Sequence, residues 1–378
     1  MLGWGDFRRM TAREIAVQIG LVLLVLVIVF GAIRSAQINL TALGITSGFN
    51  FLDRSTGWSY SFSLLERTID DPYSKTIIIG FLNTLFVGLI SIVFATILGF
   101  VIGTMRDSEN LGLQTISSVY VQIFRNIPLI LQVIFLYSNL IHFPSPKQAH
   151  SIADVVFMSN RGIMVPILTV PLSVVAWVTV LSLVTGFALF CWLKPIWLAL
   201  LIWLTGTLAL FIIAAIAFAP EDAGIVSIPE LKGLRFRGGL TLSVELVAMI
   251  IGIILYGAAY IGEVVRGGLA EVPKGLREAG ESLGLGRFAV WWTIKMPMAL
   301  RSIIPPLGNQ WIFIMKATTV GVAIGFSDLF YIISTSITQS GQTLELIAIL
   351  MVAFLAVNFA LAQAVNWLNA RLALKGYG

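Results

Sequence analysis

The residues best suited to chemistry in this sequence are polar side chains that interrupt long apolar runs. Such groups are costly inside a membrane, and they are candidates for substrate or ion pathways by default. They supply hydrogen-bond donors, acceptors and one cation, but no nucleophile paired with a base. They therefore predict a site that binds a polar or charged solute without changing it covalently. The candidates are Asn83, Thr84, Gln132, Asn309, Lys316 and Thr318.

Two proline-containing stretches near these candidates are expected to bend their helices. Proline removes a backbone hydrogen bond and clashes with the preceding turn, so Pro128 predicts a kink just before Gln132. The stretch "PPLGNQ", from Pro305 to Gln310, predicts a break that frees backbone groups near Asn309. Broken membrane helices can hold charged substrates with their exposed ends. The sequence therefore predicts solute binding next to these two breaks.

Each candidate also has a structural alternative, which the sequence leaves open. Lys316 could extend to the outer membrane interface or pair with Glu245 or Glu345. Two cations, Arg125 and Arg301, are expected at the inner lipid headgroups or at a partner's loop. Hydrogen bonding between helices alone would account for Asn83, Gln132 and Thr318.

Metal, disulfide and nucleotide chemistry have little support in the sequence. The single cysteine, Cys191, excludes an intrachain disulfide. The two histidines, His142 and His150, share one polar loop without metal-ligand spacing, so we predict no metal site, no catalytic residue and no cofactor in this chain. The phosphate-binding pattern G-x-x-x-x-G-K-[ST] does not occur, so any nucleotide must be bound by another protein.

The composition is that of an integral membrane protein. Of 378 residues, 58% are hydrophobic and only 11% are charged, and the mean hydropathy is +0.94. Soluble domains carry about 25% charged residues. Because the apolar runs are continuous, helices are the expected spanning elements. The net charge of +5 is attributed to basic loops that orient the helices, not to nucleic-acid binding.

Eight apolar runs predict eight transmembrane helices, with both termini in the cytoplasm. The basic residues near the N-terminus, in the loop before the seventh run and in the tail support this orientation, whereas Lys232, Arg235 and Arg237 in an outer loop argue against it. The runs cover residues 15–33, 76–105, 115–141, 163–190, 196–219, 240–261, 296–326 and 345–372.

A charged segment between the sixth and seventh runs, "KGLREAGESLGLG" (Lys274 to Gly286), predicts a short helix at the cytoplasmic surface. Gly284 and Gly286 can end it in a left-handed cap. The helix could lie on lipid, but its small-residue stripe and mixed charges favour a protein partner. The residues of that stripe are Leu276, Ala279, Gly280 and Leu283.

The segment "REAGESLGLGRFAVWWTIKMPMAL" resembles the EAA loop of ABC-importer permeases, although Met296 stands where that pattern usually has Leu. Three further stretches, residues 119–132, 260–275 and 305–319, are similar to permeases that take up polar amino acids. Asn126 and Ile127 depart from the commoner Gly-Thr before proline. The matching EAA positions are Glu278, Ala279, Gly280, Gly284, Ile294 and Pro297.

The resemblance implies a type I ABC importer permease fold. It covers residues 76–140 and 240–378, and the extra helices look like the long, general L-amino-acid branch. It divides the chain into residues 1–75 (first helix and outer loop), 76–141 (first part of the permease core), 142–239 (outer loops and an inserted helix pair) and 240–378 (core with the cytoplasmic coupling loop 263–297).

The resemblance also implies the partners. The EAA loop would dock on a cytoplasmic ATPase dimer that binds ATP and Mg, and Leu283 is counted among the docking residues. A second permease, either a related chain or a copy, would complete the pathway, and a periplasmic amino-acid-binding protein would deliver substrate. The chain itself would be no enzyme, and it would lie in the bacterial inner membrane. Since amino acids are zwitterions, the path must offer donors to a carboxylate and acceptors to an ammonium group.

The main alternative is an ion-coupled secondary transporter. That class needs an acidic residue at mid-membrane, and we expect no buried aspartate within a span. Near the inner mouth, Glu263 and Arg266 lie one helical turn apart and are expected to form a local ion pair.

Overall fold

The protein is a set of helices with a small layer of strands. The computed structural model describes residues 12–42, 48–193, 196–218, 224–233 and 235–372. Both chain ends, which we predicted to be cytoplasmic, lie outside the described residues. The α-helices are α1 (Ala12–Ala42), α2 (Tyr73–Arg106), α3 (Leu111–Asn126), α4 (Leu129–Ile141), α5 (Leu172–Trp192), α6 (Ile196–Ala217), α7 (Val244–Ala270), α8 (Lys274–Ser282), α9 (Arg287–Val290), α10 (Met296–Ala317), α11 (Leu329–Ser340) and α12 (Thr343–Leu372).

Five helices, α2, α5, α6, α7 and α12, are long and apolar enough to cross a membrane. Two bent segments, α3 with α4 and residues 287–324 with α11, raise the number to seven if each crosses once. A shorter apolar stretch, Ala16–Ala32, lies within α1. The eight predicted spans correspond to these segments, and the all-α polytopic class is confirmed.

Helices α2, α7 and α10 pack tightly because glycines remove the side chains between them. Gly99 and Gly103 of α2 lie directly against α7, with the four-residue spacing common in membrane helix pairs. Gly257, midway along α7, lies against Ile314 of α10. The buried cluster that results joins all three helices and fixes the elements that carry the candidate site.

The third predicted span is two helices joined at Pro128. α3 and α4 meet at an angle of 100°. Proline forces the residue before it, Ile127, into an extended conformation, with φ −94° and ψ 126°. The predicted kink is confirmed, and it is sharp enough to separate the two helices.

The break in the seventh span does not lie at "PPLGNQ". α10 continues through Pro305 and Pro306 to Ala317, so that prediction is wrong. Helical φ angles suit proline, and neighbouring helices support the backbone groups that it frees. The break follows instead at a 3-10 helix, Thr318–Ile324, which ends at Gly325 with φ +72°. The bend there is 49°.

Residues 150–171 and 224–243 form strands that the sequence analysis did not predict. Their bounds are β1 (His150–Ile152), β2 (Val156–Ser159), β3 (Gly162–Val165), β4 (Ile167–Leu168), β5 (Val226–Ser227), β6 (Glu230–Lys232), β7 (Arg235–Arg237) and β8 (Leu240–Leu242). One antiparallel sheet has the order β1-β2-β3-β8, and β4-β5 and β6-β7 form separate pairs. Two predicted helices therefore begin later than expected, at Leu172 and Val244, since β3, β4 and β8 occupy their first residues.

The inserted pair, α5 and α6, packs mainly on itself. Ser182 Oγ and Thr207 Oγ1 are 2.6 Å apart, and Trp203 Nε1 donates to the Ser182 carbonyl at 2.7 Å. Large apolar side chains such as Trp177 remain exposed on the outside of the pair. β4, before α5, pairs with β5, after α6, so the two ends of the hairpin are held together.

Candidate functional site

One face of α10 carries an exposed stripe of three residues, two polar and one aromatic, within the membrane-spanning region. Asn309, Phe313 and Lys316 follow one another at spacings of four and three residues, which places them on one helix face, and all three are exposed. Within the part of the chain that the structure describes, the Lys316 ammonium group has no hydrogen-bond or ion-pair partner. Two of the six candidate residues are thus brought together on this stripe.

Lys316 lies near the middle of the span. The residue before it, Met315, packs on Gly88 so closely that a Cβ there would lie 2.5 Å from the sulfur. Gly88 is close to the centre of α2, and Ile314 packs on the centre of α7. Glu245 lies at the outer end of α7, about 18 Å along the helix from that centre. The suggested ion pair with Glu245 is therefore wrong.

The other suggested partner, Glu345, is engaged at the outer side. Its Oε1 accepts a hydrogen bond from the backbone N–H of Gly48 at 2.8 Å. This contact lies in the loop between α1 and α2, and no ion pair joins Glu345 to Lys316 among the described residues. Lys316 therefore faces the side of the molecule that is left open.

Aromatic side chains border the stripe. Tyr256 and Tyr260 of α7 contact Phe313, with ring centroids 5.8 Å and 6.2 Å away. The Tyr256 hydroxyl donates to that of Tyr260 at 3.2 Å. Their hydroxyls and the Asn309 amide are hydrogen-bond acceptors along the same side of α10 as Lys316. Neither tyrosine was among the predicted site residues, because the sequence without the helix contacts does not distinguish them from aromatic residues of the core.

Asn83 and Thr84 are buried and fully used in protein contacts. Asn83 Nδ2 donates to the carbonyls of Phe62 and Ser327, at 3.1 Å and 2.8 Å, and Thr84 Oγ1 accepts from the Leu329 N–H at 2.9 Å. These bonds fasten the outer loop and the break before α11 to α2. In this conformation the pair does not face an open path.

Phe62, in the loop between α1 and α2, packs over that break. Its ring stacks on Phe86 and Phe326, with centroids 6.2 Å and 5.7 Å away. Its backbone N–H donates to Ser327 Oγ at 3.2 Å. The outer loop therefore reaches down between α2 and the 3-10 segment.

Gln132 and Thr318 also bond within the chain. Gln132 Nε2 donates to the carbonyls of Phe124 and Ile127 at 2.9 Å and 2.8 Å, which caps the end of α3. Its Oε1 is buried without a partner among the described residues, and Gln132 is one of the residues that line an apolar groove of about 500 Å³. Thr318 Oγ1 donates to the Met315 carbonyl at 3.0 Å.

Asp328 is fully buried in the break of the seventh span. The expectation of no buried aspartate within a span is therefore wrong, since the break lies farther along the chain than predicted. Asp328 Oδ1 accepts from the Tyr331 N–H at 2.9 Å and caps α11. An aspartate directly before an apolar run is an N-cap signal that could have found it. This cap gives the burial a structural reason.

The charged segment forms α8, as predicted, and its C-terminal turn is exposed. Gly284 has φ +81° and ends the helix in the left-handed conformation; Gly286, with φ −68°, does not. Leu283 and Phe288 are 82% and 78% exposed. Glu278, Ala279 and Pro297 are exposed as well.

Gly280 faces its own chain rather than a partner. A Cβ at this position would lie 2.9 Å from Ile294 and 3.1 Å from Val290. The expectation that Gly280 lets another protein approach is wrong, because α8 folds back on the segment that follows it. Leu283 and Phe288 are the most exposed large apolar side chains of this segment, ahead of Trp292.

Acidic residues after α2 hold this segment in place. Asp107 Oδ2 lies 2.5 Å from Lys295 Nζ. Glu109 contacts both Arg277, at 2.9 Å, and Arg287, at 3.4 Å. These contacts have no local signal in the sequence, since the partners are more than 160 residues away.

No family model matches the sequence. Three curated proteins are similar over nearly the full chain. The putative amino-acid ABC transporter permease protein YhdX of Escherichia coli K12 is 36% identical over 98% of this chain and 96% of its own. The general L-amino acid transport system permease AapQ of Rhizobium johnstonii is 30% identical (96% and 92% covered), as is the glutamate/glutamine/aspartate/asparagine permease BztB of Rhodobacter capsulatus (96% and 94%).

The helices and these relatives together define a multi-pass membrane transport protein. The chain belongs to the amino-acid ABC transporter permease family. The resemblance noted from the EAA loop is thereby confirmed.

Proposed function

We propose that this chain is one membrane subunit of an ATP-driven importer that moves polar L-amino acids into the cytoplasm. The observation that carries the proposal is the exposed stripe with Lys316 at mid-span. A lysine facing lipid at the membrane centre costs about 2.5–3.5 kcal/mol. The stripe is therefore expected to face a water-filled path, which needs a second permease opposite it, either a related chain or a copy of this one.

The stripe has the chemistry that a zwitterion requires. The Lys316 ammonium group can bind the substrate carboxylate. The Tyr256 and Tyr260 hydroxyls and the Asn309 amide oxygen can accept from the substrate ammonium group. Asn83, Thr84, Gln132 and Thr318 then support the path by holding the breaks beside it.

The C-terminal turn of α8 supports docking on a separate ATPase. Leu283 and Phe288 expose large apolar surfaces next to charged groups, as protein interfaces do. The contacts of Asp107 and Glu109 would carry movement of α8 to α2 and α3. ATP and Mg would bind to the ATPase dimer, and a periplasmic binding protein would deliver the amino acid. The chain would lie in the bacterial inner membrane, with both termini cytoplasmic.

Cross-linking tests this assignment directly. A chain in which Cys191→Ser removes the native cysteine receives Leu283→Cys and is expressed with its neighbouring transporter subunits. We expect a cross-link from Leu283→Cys to the ATPase that depends on nucleotide, together with ATP-dependent amino-acid uptake by the reconstituted complex. Ser151→Cys, on the strand layer, is the matched control and should not cross-link to it. Uptake driven by an ion gradient without ATP would instead support a secondary transporter.

A further inference from the structure

Three arginines surround one carboxylate between the inner parts of α2, α3 and α7. Glu263 Oε2 bonds Arg106 and lies 3.6 Å from Arg125 Nη1. Glu263 Oε1 accepts from Arg266 Nε at 3.0 Å, which confirms the predicted ion pair. Three positive charges thus face a single negative charge, which leaves the cluster with two positive charges in excess.

The arginines also have more donors than the protein satisfies. Arg106 Nε is buried without a hydrogen-bond partner among the described residues. Arg125 has a long contact with Glu263 and lies over the Tyr260 ring at 4.9 Å. A guanidinium group carries five N–H donors, and no hydrogen bond of Arg125 to a protein acceptor occurs in the residues described. Unpaired positive charge inside a membrane protein is expensive.

A cavity of about 440 Å³ opens beside these donors. Gln122 and Asn126 on α3, and Tyr260 on α7, add uncharged polar groups to its lining. Glu263 is the only acidic residue of the lining, and both of its oxygens are already engaged. The cavity is therefore equipped for an anion.

We propose that Arg106 and Arg125, which line this cavity beside Glu263, form an oxyanion site that takes a phosphate group, with Arg266 holding the Glu263 carboxylate. Guanidinium groups match the geometry of phosphate oxygens and bind them by paired hydrogen bonds. Basic pockets between membrane helices on the cytoplasmic side bind anionic headgroups. The phosphate could belong to an anionic phospholipid of the inner leaflet or be free in solution. The inference does not depend on which solute is transported.

The test uses a local reporter at the rim of the cavity. The complex carries Cys191→Ser and Gln122→Cys, and the rate of maleimide modification is measured in nanodiscs. In phosphatidylcholine, 10 mM inorganic phosphate is compared with sodium chloride of equal ionic strength. This phosphate concentration is about a hundred times the Kd of a site that binds phosphate with a Kd of about 0.1 mM, so such a site would be almost fully occupied. A second preparation contains phosphatidylglycerol.

If the site binds a free anion, phosphate should slow maleimide modification of Gln122→Cys at least threefold in phosphatidylcholine. A lipid headgroup as occupant predicts slow modification in phosphatidylglycerol and no further effect of phosphate. In either case, Arg125→Gln should abolish the protection, Arg125→Lys should retain part of it, and Arg301→Gln, which changes an exposed arginine outside the cluster, should leave it unchanged. Equal rates in every preparation, or equal protection in Arg125→Gln, would overturn the proposal. Arg106→Gln, at the other arginine of the lining, provides a second test should Arg125→Gln assemble poorly.

Discussion

Asp107 and Lys295 form an ion pair that joins the inner end of α2 to the segment entering α10. The atoms Oδ2 and Nζ are 2.5 Å apart, and the side chains are only 17% and 21% exposed. A pair this close and this shielded holds two distant parts of the chain at a fixed separation. The segment that follows α8 is therefore fastened to the end of α2.

Reversing this pair tests the connection. Asp107→Lys should lower the ratio of uptake to ATP hydrolysis about fivefold or more, because a charge-assisted hydrogen bond worth about 1.5–3 kcal/mol is replaced by repulsion. The double variant Asp107→Lys with Lys295→Asp should recover most of the ratio. Uptake and hydrolysis are measured together in proteoliposomes.

The exposed pair Glu230–Lys232 on the strand layer is the matched control. Its atoms are 3.3 Å apart, but the side chains are 68% and 60% exposed, so the reversed pair should behave like the unmodified protein. If the Asp107–Lys295 double variant does not recover the ratio of uptake to ATP hydrolysis, the ion pair is not what connects α2 to the segment that enters α10.

Gly284 gives a second prediction at the coupling segment. A β-branched side chain at φ +81° costs about 1–3 kcal/mol, so Gly284→Val should distort the turn that presents Leu283. We expect the ATPase to be lost on purification, with normal membrane insertion. Gly286→Val is the control, since Gly286 has φ −68° and open space around it. Recovery of equal amounts of ATPase with both variants would show that this turn is not part of the docking surface.

The cap at Gly284 was predictable because helix endings depend on neighbouring residues. The charged periodicity of α8 and the glycine after it are local signals, and the structure follows both. The break of the seventh span is different. Pro305 is exposed and Pro306 half-buried, and α10 continues through both because helical φ angles suit proline. The next turn packs on α12, where Gly308 contacts Val365. Local sequence could not indicate that support.

The stripe on α10 was predictable only in part. Asn309 and Lys316 stand out as polar residues in an apolar run. Tyr256 and Tyr260 join them only through packing of α7 on α10, and the inner arginines meet only through Glu263. Likewise, β3 and β8 pair across 74 residues of intervening chain, with Ile163 opposite Leu242 at 79 positions apart. Such pairings have no signature in a single sequence.

Asn83 offers a third prediction, which separates a structural role from substrate binding. Asn83→Leu keeps the size of the side chain but removes the donor to the Ser327 carbonyl and the acceptor of the Leu64 N–H, while the Phe62 carbonyl keeps its bond from Ser327 Oγ. Each buried unpaired group costs about 1–3 kcal/mol, so the thermal midpoint of the complex should fall by several degrees. Asn139→Leu, which affects one local bond of an exposed residue, should change it little.

A direct substrate role for Asn83 predicts a different outcome. The KM for uptake would then rise while the thermal midpoint stayed unchanged. Because Asn83 bonds to Phe62 and Ser327, we expect the opposite. The thermal midpoint should fall, and the KM for uptake should change little.

Lys316 carries the fourth prediction. Lys316→Met preserves the length of the side chain and removes its charge, so packing on α10 should persist. Loss of a desolvated contact with the substrate carboxylate costs about 2 kcal/mol or more, and uptake at low substrate concentration should fall at least about tenfold. Lys316→Arg should keep much of the activity, because it retains the charge. Kinetics of Lys316→Met equal to those of the unmodified protein, with equal thermal midpoints, would show that the substrate carboxylate is bound elsewhere in the path.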